Sequence, residues 1–214
     1  MKNILSREVL SHSLLFAFLC LIVSVHTLFA QKHQEFYPNG VLKSEGVLLN
    51  GKKDGKWTVF YPNGKLNAEL NYKQGSLDGS CKYYDFDGKL HNTETWKDDV
   101  LEGESKDFYP NGQVKKEGLF VNGVYQGIWY FYFENGQKRQ IGNYKDGFPD
   151  GYWEEYYENG QIAQKGNYLA GQPNGYWQFF YPDGKKEREG NFDKGKYVGQ
   201  WKCYAKSGKK IKCK

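Results

Sequence analysis

Two of the four histidines, His33 and His91, lie beyond residue 30. Neither has a second His or Cys at the spacing that closes a zinc site, so metal-assisted hydrolysis finds no ligand set here. Carboxylates are plentiful, and a glycosidase needs only two of them flanking one bond. They recur, however, immediately before glycine, as at Asp54, Asp78 and Asp150, where Asp is turn chemistry. Repeated Asp-Gly also brings calcium to mind, but these stretches lack the several acidic ligands a calcium loop requires. The expectation is therefore a chain with no catalytic constellation, no cofactor and no metal.

Aromatic residues carry the remaining chemistry, at 18% of the sequence. Trp57, Trp129, Trp153, Trp177 and Trp201 share one repeat position, and Tyr84, Tyr132, Tyr156 and Phe180 share another. One reading makes these nine residues a packed stripe. The other makes them a platform for carbohydrate, lipid or peptide on a face that lacks a covering layer.

What positions them is a beat of 24. FYPNG stands at 36–40, 60–64 and 108–112, and FYPDG at 180–184. Their glycines belong to an unbroken series: Gly40, Gly64, Gly88, Gly112, Gly136, Gly160, Gly184 and Gly208. Gly55, Gly79, Gly103, Gly127, Gly151, Gly175 and Gly199 form a second series. Gly51, Gly75, Gly123, Gly147, Gly171 and Gly195 form a third, broken only at Asp99. Pro-Asn-Gly and Asp-Gly are turn residues, and aromatic runs such as GYWEEYY between them are strands. Stretches such as KDGFPDG are expected to be loops. No segment beyond the N-terminus has helical periodicity. A lone hairpin is marginal in water, whereas stacked hairpins support one another. The predicted fold is all-β: a single-layer, elongated antiparallel sheet of consecutive hairpins, with between seven and eight 24-residue units. Departures cluster in residues 70–107. Leu70 and Glu94 replace Gly, Cys81 and Ser105 replace Trp, Asp85 replaces Tyr, and Trp96 appears at the other aromatic position. They read either as drift in an internal repeat or as a local kink or pocket.

The units EGLFVNGVYQGIWYFYFENGQ and KGNYLAGQPNGYWQFFYPDGK resemble the MORN-repeat variant family, and the likeness runs over 33–210. It implies a ribbon of hairpins that serves as a scaffold for protein or lipid contacts. Bacterial members often carry the label YwqK-type antitoxin, which implies neutralisation of a partner protein. Choline-binding wall repeats also combine Gly, Trp and Tyr-Tyr, but their aromatic cages commonly include Met, and Met1 is the sole Met here.

The ends suggest a compartment. Lys2 and Arg7 precede the apolar run Leu14–Val25 and the exit HTLFAQ, the order of an export leader. Residues 1–30 are expected to be removed after Ala30, leaving 31–214 as the repeat domain. An uncleaved anchor is the alternative, although the run is short for a span of about 20 residues. Export would place Cys203 and Cys213, which flank Gly208, in an oxidising compartment where they could bond. Lys209, Lys210, Lys212 and Lys214 blunt a terminal sheet edge or meet an anionic surface. With a formal charge of +5 and both signs interspersed, nucleic acid is not the expected partner. The sequence thus points to an exported, non-enzymatic scaffold for a protein or cell-envelope component. An antitoxin-like neutraliser or a carbohydrate- or choline-binding wall module are the alternatives.

Overall fold

The computed structural model describes residues 29–213. All of the leader reading except its last two residues lies outside them. The strands are β1 (Ala30–Phe36), β2 (Leu42–Leu49), β3 (Lys52–Phe60), β4 (Leu66–Lys73), β5 (Ser76–Leu77) and β6 (Gly79–Tyr84). Next come β7 (Leu90–Lys97), β8 (Val100–Phe108), β9 (Val114–Val121), β10 (Val124–Tyr132), β11 (Lys138–Lys145) and β12 (Phe148–Tyr156). The chain closes with β13 (Ile162–Leu169), β14 (Gln172–Phe180), β15 (Lys186–Asp193), β16 (Lys196–Tyr204) and β17 (Lys210–Ile211). Consecutive strands pair antiparallel from one end to the other, with β5 and β6 both lying on β4. Among the described residues there is no helix, and one open sheet contains every strand. None of these residues forms a helix long and apolar enough to cross a membrane.

Each glycine series has its own geometric task. In the third series Asn122 and Gly123 have φ of 50° and 77°. Two consecutive positive values define the two-residue turn whose twist matches the flanking strands. Asp99 takes the glycine place with φ 65°, and its carboxylate accepts the Leu77 amide at 2.7 Å, an anchor a glycine would lack. In the first series Gly112 donates its N–H to Tyr109 at 2.9 Å while Tyr109 donates to Gln113 at 2.8 Å. Here φ is 86°, the three-residue hairpin ending in a left-handed residue.

The second series departs from expectation. KDGFPDG is not one loop: Asp146 and Gly147 make the turn, and Phe148–Asp150 already belong to β12. Gly151, with φ 95°, is a bulge inside the strand, opposite a register shift between Gly142 and Tyr144. Asp-Gly looks the same in sequence whether it turns a chain or kinks a strand. A second shift falls between Glu155 and Tyr156, where Ala163 of β13 is the extra residue, so alternation within β12 still holds from Tyr152 to Tyr156.

Neighbouring repeats are stitched at both margins. The tyrosines of FYPNG and of the equivalent YYENG donate to a carbonyl 23 residues on: Tyr37 to Phe60, Tyr61 to Tyr84, Tyr109 to Tyr132 and Tyr157 to Phe180, each at 2.8 Å. At the opposite margin Gly123 donates to Leu101 and Gly147 to Tyr125. Pro149 and Pro173 are tolerated in β12 and β14 because they sit beside the bulges, where no ladder donor is lost.

Candidate functional site

The sheet has one face closed by its own side chains and one face open. On the closed face each of Trp57, Trp129, Trp153, Trp177 and Trp201 lies across a glycine eleven residues earlier. A Cβ placed on Gly118 would fall 2.3 Å from Trp129, and one on Gly166 would fall 2.2 Å from Trp177. No real contact is that short, so the pair exists only with glycine. The bulge beside that glycine frees a carbonyl, and the indole N–H takes it up: Trp57 donates to Val47 at 3.1 Å, Trp129 to Leu119 at 3.0 Å and Trp177 to Asn167 at 3.0 Å. Trp153 turns its ring the other way and donates to Glu155 at 3.0 Å. The second aromatic position packs edge-on to these rings, as Tyr168 does at 5.1 Å from Trp177 and Phe120 at 5.1 Å from Trp129. Trp57 and Trp129 are wholly buried, Trp153 and Trp177 nearly so, and Trp201 half-buried at the end of the ribbon.

Residues 70–107 follow the same rule with other side chains. Leu70 and Cys81 stand at the Gly and Trp places of one hairpin, Glu94 and Ser105 at those of the next. Where the large partner shrinks, the small one grows. Cys81 and Ser105 are buried. Burial pushes the Cys81 thiol up, away from the reactive thiolate. Burial also raises the Glu94 carboxyl, which accepts from Trp96 at 3.1 Å. Beside it, Asn92 donates to Asp107 at 2.6 Å and Lys116 pairs with Asp107 at 3.2 Å. Among the described residues no group of three His, Cys, Asp or Glu side chains is placed to hold a metal ion.

The nine aromatic residues singled out in the sequence therefore divide between the faces. The five Trp are closed-face packing. Tyr84, Tyr132 and Tyr156 send their hydroxyls to carboxylates of the open face: Tyr84 to Glu69 at 3.2 Å, Tyr132 to Glu117 at 2.7 Å, and Tyr156 to Glu154. Phe180 has no hydroxyl to spend, and the Lys165 ammonium lies 5.9 Å from its ring centroid. Cys203 and Cys213 are bonded, with Cα atoms 5.3 Å apart, and their bridge fastens β17 to the last hairpin.

Three exposed residues at one repeat position carry no sequence expectation: Ile128, Tyr152 and Tyr176, at 54%, 49% and 49% exposure. Each directly precedes a Trp. A strand turns alternate side chains to opposite faces, so the burial of Trp forces its predecessor outward. That signal was available once the Trp position was identified as core. Tyr152 donates to Glu154, and Tyr176 to Glu189. Burial and those carboxylates push both phenols up to about 12, so both remain donors in neutral solution. Burial opposes ionisation of Glu189, but hydrogen bonds from Lys186, Tyr176, Tyr204 and Gln178 prevail and hold its carboxyl at about 2. Beside Ile128 lies a shallow depression of about 470 Å³, lined by Leu119, Tyr130, Glu104 and the Lys106–Glu117 ion pair at 2.8 Å.

Among solved structures, the crystal structure of the GtfA/B complex bound to UDP and GlcNAc is similar over 61% of this chain at 14% identity, with a TM-score of 0.24. This chain spans 26% of that one, and at such a score the likeness transfers neither fold nor ligand. No curated protein matches the chain. The MORN repeat variant model matches seven consecutive segments, 32–50, 53–74, 77–98, 101–122, 125–146, 149–170 and 173–194. These segments reproduce the hairpin period seen in the sheet, and the chain belongs to the MORN repeat variant family.

Proposed function

We propose that this repeat ribbon is an exported, non-enzymatic scaffold that holds a partner protein or an envelope component on its open face. The observation that carries the reading is the division of labour between faces. The Gly–Trp interlock fills one face from β9 to β16, while the other repeats exposed side chains at a constant position, Ile128, Tyr152 and Tyr176. Repeat ribbons use extended surfaces of this kind for recognition. The Cys203–Cys213 bridge supports an oxidising compartment, in agreement with the leader pattern of the sequence. The test is capture from an envelope extract with the chain as bait, beside a Tyr152→Ala/Tyr176→Ala variant. A specific component recovered by the wild type and lost with the variant is the expected result. Equal recovery by both, or none by either, would overturn it.

A further inference from the structure

We infer that the open face between β10 and β14 is a stacking platform for an extended, uncharged β-1,4-linked polysaccharide. The inference rests on the open-face scaffold reading and names its ligand. Ile128, Tyr152 and Tyr176 stand in one row across the sheet, with Asn143 and Asn167 on the strands between. Adjacent members of the row are two strands apart, a separation of about 9.6 Å. That is close to the advance of one disaccharide along an extended β-1,4 chain, in which every second ring turns the same C–H face to one side. Each tyrosine hydroxyl is tied to a carboxylate on the same sheet face, Tyr152 to Glu154 and Tyr176 to Glu189. A ring fixed at both ends to the sheet lies along it. Half-exposed and held by its hydroxyl, the ring is already immobilised, so little side-chain entropy is lost when a ligand stacks on it.

The flanking groups suit a polyol. Glu154 accepts from Tyr152 and Tyr156 and has no ion-pair partner among the described residues. Asn167 is exposed between the two tyrosines. Glu104 is also exposed beside the depression next to Ile128. Carboxylate acceptors along the row welcome sugar hydroxyls, and because they alternate with Lys106, Lys165 and Lys186 no single sign of charge selects an ionic ligand. A peptide would find its backbone partners at a sheet edge rather than on a face whose backbone is already paired.

The experiment is calorimetric titration of the full chain with cellohexaose and with the β-1,4 hexamer of N-acetylglucosamine, beside the α-1,4-linked maltohexaose. At least one β-linked hexamer should bind, its disaccharide roughly ten-fold more weakly or worse, and maltohexaose not at all. Whichever β-linked hexamer binds assigns the source as a glucan or an amino-sugar polymer. Tyr152→Ala and Tyr176→Ala should each weaken binding roughly ten-fold, with melting temperatures unchanged. Tyr152→Phe keeps the ring and should lose less. Lys56→Ala, at the same repeat position but outside the row, should change nothing. Absence of binding by both β-linked hexamers, equal binding of maltohexaose, or indifference to both alanine changes would each sink the inference. Should no hexamer bind while the double variant still loses an envelope protein, the saccharide is wrong and the scaffold stands.

Discussion

At the scale of single residues the structure is governed by a size exchange between positions eleven apart. Gly118 with Trp129 and Leu70 with Cys81 are two solutions to one volume problem. Gly118→Leu alone drives a side chain into an indole, and Trp129→Cys alone leaves a cavity of a kind that costs about 3–5 kcal/mol. The double variant recreates the natural Leu–Cys pair. In denaturant melts it should be more stable than the sum of the two single losses, with a coupling of roughly 1–3 kcal/mol. Simple additivity would show that the exchange is coincidental. Glu94 gives a second residue-scale expectation. Burial raises its carboxyl above the unfolded value of about 4.3, so its ionisation is less favourable in the fold than in the unfolded chain. The favourable contribution is present below the unfolded value and is lost as pH rises through the folded one. Glu94→Gln, whose carbonyl still accepts from Trp96, should therefore raise the melting temperature at pH 7 and leave it unchanged near pH 4. An equal rise at both values would mean that charge is not the cause.

At the scale of strands and turns, most of the architecture was readable in advance because glycine spacing reports φ > 0 directly. The hairpins, their period and their order follow from the first and third glycine series. The second series was misread as loop because Gly151 bulges a strand with the same Asp-Gly that elsewhere makes a turn. Missing that bulge concealed the pairing of Trp with a glycine eleven residues away. That Tyr156 and Trp153 serve opposite faces needed no knowledge of the bulge, because simple alternation along the strand already separates them. The open-face row was missed for a related reason, since its members differ in type, Ile128 against Tyr152, and only their place before Trp unites them. A turn-scale prediction separates conformation from packing. A Cβ on Gly112 would meet nothing within 4 Å, yet φ there is 86°. Gly112→Val should therefore destabilise by more than about 1 kcal/mol through backbone strain alone. Ser80→Val, at an exposed position within β6, should cost less. Equal shifts in the melts of the two variants would remove strain as the explanation.

Over the whole molecule, a ribbon in which each hairpin touches only its neighbours has a stability that is a sum over interfaces. Those interfaces are unequal. From Gly118 to Trp201 the Gly–Trp alternation is unbroken, and Trp153, Trp177 and Phe192 form a continuous buried cluster flanked by Tyr144, Tyr168 and Trp201. Its far end is closed by the Cys203–Cys213 bridge. Between β4 and β8 the row instead holds Leu70, Cys81, Glu94 and Ser105, which bury less apolar area than tryptophan and include a carboxyl that burial disfavours. Cooperative units in such arrays separate where an interface is weak. Hydrogen exchange should therefore resolve two blocks, with amides of β9–β16 protected together and those of β4–β8 opening at lower free energy. Reducing the disulfide should release β17 and loosen β16 without changing protection in β9–β13. Leu70→Gly combined with Cys81→Trp would restore the interlock in one hairpin and bring the protection of β4–β6 toward that of the C-terminal block. A single exchange transition across all hairpins before and after that repair would contradict the unequal-interface account.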